Sequence, residues 1–261
     1  MTSQSQIAEV AEHFEQAHRT WDEVYQDGQP GGYLLRTRLR RAMELVQRHA
    51  AGPGRALDLG CGCGPASVEL AKMGHEVVGL DLSPTMVERA RRQAARAGLA
   101  DRCRFQCADV AATDLPAHWF DVIVALGFIE YFDEPRAMLQ RIRQWLCPEG
   151  IVILQTSNRL RLTHLLKGKA RRRVQRNGAG LWSRQYSPGE IAAEARACGL
   201  KRVDYRGHSI GPLKIGGVFL PGYRGAVWLE RRLDEIANLP ACRVLGCLGT
   251  SFVSAFRPIP S

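Results

Sequence analysis

The chain has 261 residues, 45% of them hydrophobic, which suits one large domain with a full core and excludes a disordered or collagen-like chain. Its formal net charge of +10 suggests an anionic partner, but eight Lys and Arg and no acid fall within residues 159–176, "RLRLTHLLKGKARRRVQR", which leaves about +2 for the rest. No run approaches the roughly 18–20 apolar residues that cross a bilayer.

The opening "MTSQSQIAEVAEHFEQ" is polar and acidic, without the basic and apolar regions of a secretory leader, so a cytoplasmic protein is expected. Residues 6–26 carry apolar positions at helical spacing (Ile7, Val10, Phe14, Ala17, Trp21, Val24), and after "DGQPGG" a second helix is expected over 33–49. From residue 54 short apolar runs alternate with helical stretches. Strands are expected at 55–59, 76–81, 103–107, 120–126 and 150–156, with helices near 65–73, 84–97 and 134–146. That alternation implies a parallel sheet covered by helices on both faces. A helix follows at 187–198, where Ser187 and Pro188 supply an N-cap and first turn, then strands near 201–206 and 250–256. Between those strands a further helix is expected at 224–237. The expected organisation is an N-terminal helical cap over 1–50 and a domain over 51–261, with a basic insertion at 159–186 and an apolar one at 208–247.

The stretch "LDLGCGCG", residues 57–64, follows a strand and opens a helix, where nucleoside cofactors bind in open α/β sheets. A dinucleotide fingerprint needs G-x-G-x-x-G, but here Pro65 stands at the third position. Asp58 just before the loop repels a pyrophosphate and suits a cofactor with a cationic amino-acid tail. Asp81, ending the second strand, can accept both hydroxyls of a ribose. Asp109, past the third strand, can accept from an adenine amine while the Val110 N–H donates to a ring nitrogen. Three carboxylates at successive strand ends match S-adenosylmethionine. The eight cysteines contain no C-x-x-C pair, so Cys61 and Cys63 are read as small core residues of the loop and no metal is expected.

With "ALDLGCGCGP", "VVGLDLSPTMVERAR", "FQCADV" and "FDVIVALGFIEYF" in order, the chain resembles the Rossmann-like, class I S-adenosylmethionine-dependent methyltransferases over residues 33–158, in particular the small-molecule enzymes of ubiquinone and natural-product pathways. The resemblance implies a doubly wound, seven-stranded, mostly parallel sheet whose last strand is antiparallel. It implies cofactor contacts from Asp58, Gly60, Cys61, Gly62, Asp81, Leu82, Met86, Asp109, Val110 and Leu126. It also implies that Arg36 pairs with the cofactor carboxylate and that Tyr25 closes over the site.

On the acceptor side, Glu130 and Tyr131 are the candidate catalytic groups; related enzymes often carry Glu-His there, so Tyr131 leaves a His base in question. Glu130 can equally cap or pair locally, and Tyr131 can pack beside the cofactor. "TSN" at 156–158 can help orient an acceptor. The Gly-rich, apolar stretch 208–247 reads either as cover on the sheet edge or as the lining of a pocket for a lipophilic or aromatic acceptor, methylated at oxygen. No Asn-Pro-Pro-Tyr or Asp-Pro-Pro-Tyr motif points to amino-group methylation of adenine or glutamine. The run 159–176 mixes leucines with cations, as an interfacial helix does. A solvated loop, docking on a membrane or anionic substrate, and contact with RNA or a protein substrate all stay open, with aromatics interleaved among the cations lacking for RNA.

Overall fold

The structure, a computed structural model, describes residues 9–13, 15, 30–161, 164–165, 174–176, 181–208, 214–215, 218–219, 228, 231–233, 235–236 and 246–260. At its centre lie β1 (Arg55–Leu59), β2 (Glu76–Asp81), β3 (Cys103–Cys107), β4 (Phe120–Leu126), β5 (Leu146–Ser157), β6 (Leu200–His208) and β7 (Ser251–Pro258). They form one sheet in the order β3-β2-β1-β4-β5-β7-β6. Only β7 runs antiparallel to its neighbours, β5 and β6. The doubly wound, seven-stranded reading of the sequence therefore holds.

β1 and β4 are nearly continuous apolar runs because they are covered on both faces. On one face lie α1 (Pro30–His49), α2 (Pro65–Lys72) and α3 (Pro84–Arg96), and on the other α4 (Pro135–Trp145) and α5 (Pro188–Ala197). α1, expected as part of an N-terminal cap, packs its Ala42, Leu45 and Val46 side into the first layer with Val68, Leu70 and Ala90. Leu139, Ile142, Trp145 and Ile191 fill the second. Local chemistry sets the helix starts. The Ser83 Oγ accepts from the Met86 N–H at 3.1 Å with Pro84 in the first turn, and Ser187 and Glu190 form a reciprocal capping box on α5.

β5 begins at Leu146, earlier than the expected 150. Phe120 and Val122 of β4 face Leu146 and Ile151, so "CPEG", which reads as a turn, is absorbed as a bulge inside the strand. Residues 9–13 and 15 of the first expected helix are helical, as are 228, 231–233 and 235–236 of the late one.

The two ends of the later insertion meet: a Cβ built on Gly207 would stand 2.2 Å from the Gly246 carbonyl oxygen. Asn158, at the tip of β5, fastens that junction. Its Nδ2 donates to the carbonyls of Cys247 (2.6 Å) and Gly249 (2.7 Å), and its Oδ1 accepts from the Leu160 N–H at 3.0 Å.

Candidate functional site

Strand order reverses at β1, which has β2 on one side and β4 on the other, so a crevice opens beyond the carboxyl ends of these strands. The glycine loop lines it. Gly60 and Cys61 donate their N–H groups to the Leu80 carbonyl at 2.9 and 3.0 Å, tying the loop to β2. Gly62 and Gly64 both have positive φ, 52° and 86°, but for different ends. A Cβ on Gly64 would strike Ala90 Cβ at 2.9 Å, so that glycine lets α3 pack close. A Cβ on Gly62 would meet nothing within 4 Å, so its backbone presents an open face to a ligand.

Asp58 is 2% exposed, and among the described residues its hydrogen bonds come from Ser67, whose hydroxyl donates at 2.6 Å. Burial pushes its carboxyl up to about 6 despite that bond, with the Asp81 charge adding to the rise. A buried carboxyl so placed can take a cation. Asp81 is held from both sides: the Gly62 N–H donates to Oδ2 at 2.8 Å and the Ser83 N–H to Oδ1 at 3.0 Å. Each oxygen keeps a lone pair, so the fixed carboxylate can accept two further hydroxyls. Burial raises its pKa as well. Asp109 turns the chain after β3, its Oδ1 accepting from the Ala111 N–H at 2.8 Å and leaving Oδ2 for a ligand amine. Val110 and Met86 are buried beside it and at the start of α3, while Leu82 and Leu126 are half-buried at the ends of β2 and β4. The Cys61 thiol is buried and its pKa is driven well up by that burial, so it stays protonated. Among the described residues no group of three or more His, Cys, Asp or Glu can hold a metal.

Across the crevice, Glu130 is buried in the middle of the 3-10 turn Ile129–Tyr131 that follows β4. Its Oε2 accepts from the Ser157 N–H at 2.9 Å, and the Ser157 hydroxyl bonds the same carboxylate. Burial nonetheless raises its pKa, so the group can take up a proton. Tyr131 is half-buried in the same 3-10 turn, its N–H donating to the Phe128 carbonyl at 3.2 Å. The three residues of "TSN" act separately: Ser157 holds Glu130, Asn158 is committed to the insertion, and the Thr156 hydroxyl is buried without a partner.

Two residues join the site that sequence reasoning missed. Arg38 reaches the strand ends, its Nη1 donating to Gln155 Oε1 at 3.2 Å, and its charge acts on both Asp58 and Glu130. Arg36 sits two residues earlier, about 200° around the helix. The signal was available: Arg38 is four residues before Ala42 and seven before Leu45, on the buried face. Glu15, from the N-terminal helix, accepts from the hydroxyls of Ser83 and Thr85, and its charge acts on Asp81. Nothing in a polar helix full of acids marks that residue out. Tyr25 lies outside the described residues.

A family model described as a methyltransferase domain matches residues 56–150. A ubiquinone biosynthesis O-methyltransferase of Cereibacter sphaeroides (strain KD131) is 32% identical over 162 residues, covering 61% of this chain and 65% of the relative, just under two thirds of its length. An enzyme of the same description from Paraburkholderia phymatum is 30% identical over 201 residues, covering 76% of this chain and 84% of the relative. Among solved structures, the 1,6-didemethyltoxoflavin-N1-methyltransferase of Burkholderia thailandensis, with bound 1,6-didemethyltoxoflavin and S-adenosylhomocysteine, superposes with a TM-score of 0.65 at 20% identity. It covers 97% of this chain and 88% of that one, a likeness of fold.

Proposed function

The chain belongs to the class I S-adenosylmethionine-dependent methyltransferases, and we propose that it transfers a methyl group to an oxygen of a small, lipophilic or aromatic acceptor. The observation that carries the cofactor end is Asp58, a buried carboxyl raised to about 6 at the root of the glycine loop. Such a group gains most from a ligand ammonium and would repel a pyrophosphate. The open face of Gly62 fits the same ligand. In this reading Asp58 takes the ammonium and Asp81 the ribose hydroxyls, with Asp109 and the Val110 N–H on the adenine. Gly60, Cys61, Leu82, Met86 and Leu126 line the rest. Arg38, in the role expected of Arg36, offers its guanidinium to the carboxylate.

When bound, the cofactor supplies an electrophilic methyl on a sulfonium. The protein's share is to exclude water, align the acceptor oxygen and remove its proton. Glu130 is suited to remove that proton, because Ser157 fixes one oxygen, burial raises its proton affinity, and Oε1 remains free of the Ser157 N–H. The names of the relatives, O-methyltransferases of ubiquinone biosynthesis, support transfer to oxygen of a small acceptor. Docking on an anionic surface, a membrane or charged substrate, through 159–176 belongs to the proposal, as does a cytoplasmic location. Arg159 is engaged by Glu190 through Nε at 2.6 Å, so docking draws on cations further along the run. No described helix is long and apolar enough to cross a membrane.

The test is a transfer screen with labelled S-adenosylmethionine against quinols, phenols, fatty and polyketide acids, and bulk RNA. Label on a phenol or quinol oxygen is the expected result. Label on RNA or protein alone would overturn the small-acceptor reading.

A further inference from the structure

Gly127 follows β4 with a positive φ of 68°, and the place of its missing side chain marks a meeting point. A Cβ built there would stand 3.0 Å from Arg38 Nη1, 3.6 Å from Gln155 Oε1 and 4.0 Å from Glu130 Oε1. Three polar side chains, from α1, β5 and the turn after β4, thus converge at the carboxyl ends of the central strands. Of the three, Gln155 alone has no role in the transfer chemistry proposed.

Gln155 occupies a place in β5 that suits an aliphatic side chain. It is 4% exposed, and its register neighbours are Leu126 of β4 and Val253 of β7. Leu154 lies in the α4–α5 layer and Ile153 in the α1 layer, so by alternation Gln155 turns toward α1. A carboxamide oxygen so buried costs the fold unless it is hydrogen-bonded, a cost that Leu would not carry. Here the oxygen accepts from Arg38 Nη1 at 3.2 Å. That bond fixes one edge of a planar guanidinium, whose fork suits a carboxylate. The acceptor is neutral, so it orients the cation without setting a negative charge against it. Glu190, by contrast, takes Arg159 as an ion pair at 2.6 Å. The Arg38 charge also acts on Asp58, so the guanidinium and the carboxyl read as the ammonium site serve one region. An α-amino acid tail places an ammonium and a carboxylate side by side.

We propose that Gln155 is a positioning residue, holding the Arg38 guanidinium over Gly127 so that the site selects a cofactor whose tail ends in a carboxylate. This rests on the cofactor reading of Asp58 and Arg38 and adds the residue that sets the guanidinium in place. Gly127 contributes the room, since a methyl group there would press on Nη1.

The test titrates the full chain by calorimetry with two probes, S-adenosylhomocysteine and its decarboxylated analogue, which keeps the ammonium. Wild type should prefer the first by about tenfold or more. Gln155→Leu should bind S-adenosylhomocysteine about five- to tenfold more weakly, yet hold the analogue within about twofold of wild type. Gln155→Glu, which sets a negative charge beside the guanidinium, should show the same selective loss. In an Arg38→Met background Gln155→Leu should add nothing further, because the group it positions is gone. An undiminished preference in Gln155→Leu would overturn the proposal. So would an equal loss for both probes, the mark of a merely structural role. Should Gln155→Leu fail to fold, Gln155→Glu decides on the same two outcomes. Equal affinity of wild type for the two probes would also overturn it, since no carboxylate would then be selected. Failure of wild type to bind S-adenosylhomocysteine at all would strike the cofactor reading, and the proposal with it.

Discussion

Replacing Asp58 by Asn separates what the buried carboxyl costs the empty fold from what it gives a ligand. Its rise from 3.8 to about 6 corresponds to about 3 kcal/mol against the charged form at neutral pH. Because the folded pKa lies above the unfolded one, the folded state holds the extra proton. The penalty is absent below about pH 4, grows through the interval to about pH 6 and is complete above it. Asparagine keeps an oxygen for the Ser67 hydroxyl but adds an amide N–H₂ that must be accommodated, at about 1–2 kcal/mol. The ligand-free variant should therefore be more stable than wild type by about 1–2 kcal/mol at pH 7.5, a few degrees in melting temperature, and lose that advantage by pH 4.5. Its affinity for S-adenosylhomocysteine should fall about tenfold or more, the worth of a charge-assisted hydrogen bond. Wild-type affinity should itself weaken as pH drops below about 6, where Asp58 takes up a proton. Urea unfolding at both pH values, with calorimetry at pH 7.5, measures both arms. A variant less stable than wild type by the same amount at both pH values, or one with unchanged affinity, would refute the reasoning.

Asp81→Ala should reduce S-adenosylhomocysteine affinity by about a hundredfold, since it removes the paired acceptor and frees the Gly62 and Ser83 N–H groups; an unchanged calorimetric Kd would count against the ribose assignment. Arg38→Met should weaken cofactor binding by about tenfold or more, while Arg36→Met stays within about threefold; the reverse order would restore the sequence-based choice. Gly64→Ala should lower stability by about 2–3 kcal/mol, from strained φ and the Ala90 collision. Gly62→Ala should cost stability only about 1–2 kcal/mol yet lose most cofactor affinity, and equal losses of affinity in both variants would deny Gly62 its ligand-facing role.

The strands were readable where burial on two faces leaves nearly unbroken apolar runs, as in "FDVIVAL", whose bounds coincide with β4. The positions of Asp58, Asp81 and Asp109 at the ends of successive strands were readable from the strand bounds, while their ligand roles belong to the proposal. Cross-chain placement was not. Asn158 reads as a polar residue free for an acceptor, but its partners lie some ninety positions away, with a separation of 91 to Gly249. Gln185 carried no sequence signal, because an isolated glutamine after a basic run is ordinary surface composition. Its burial comes with the Asn158–Tyr186 bridge beside it. Arg38 stood among four nearby arginines, and only the phase of the helix distinguishes it.

Gly207 and Gly246 touch, and Asn158 clasps the carbonyls just past that junction. Both ends of the stretch between them are therefore fixed at one place beside the sheet. With its ends so held, a change in the length between them adds only a small loop-closure cost, about 0.6 kcal/mol for a doubling. A graft between related enzymes that keeps Gly207, Gly246 and Asn158 keeps the contacts on which the two ends are anchored.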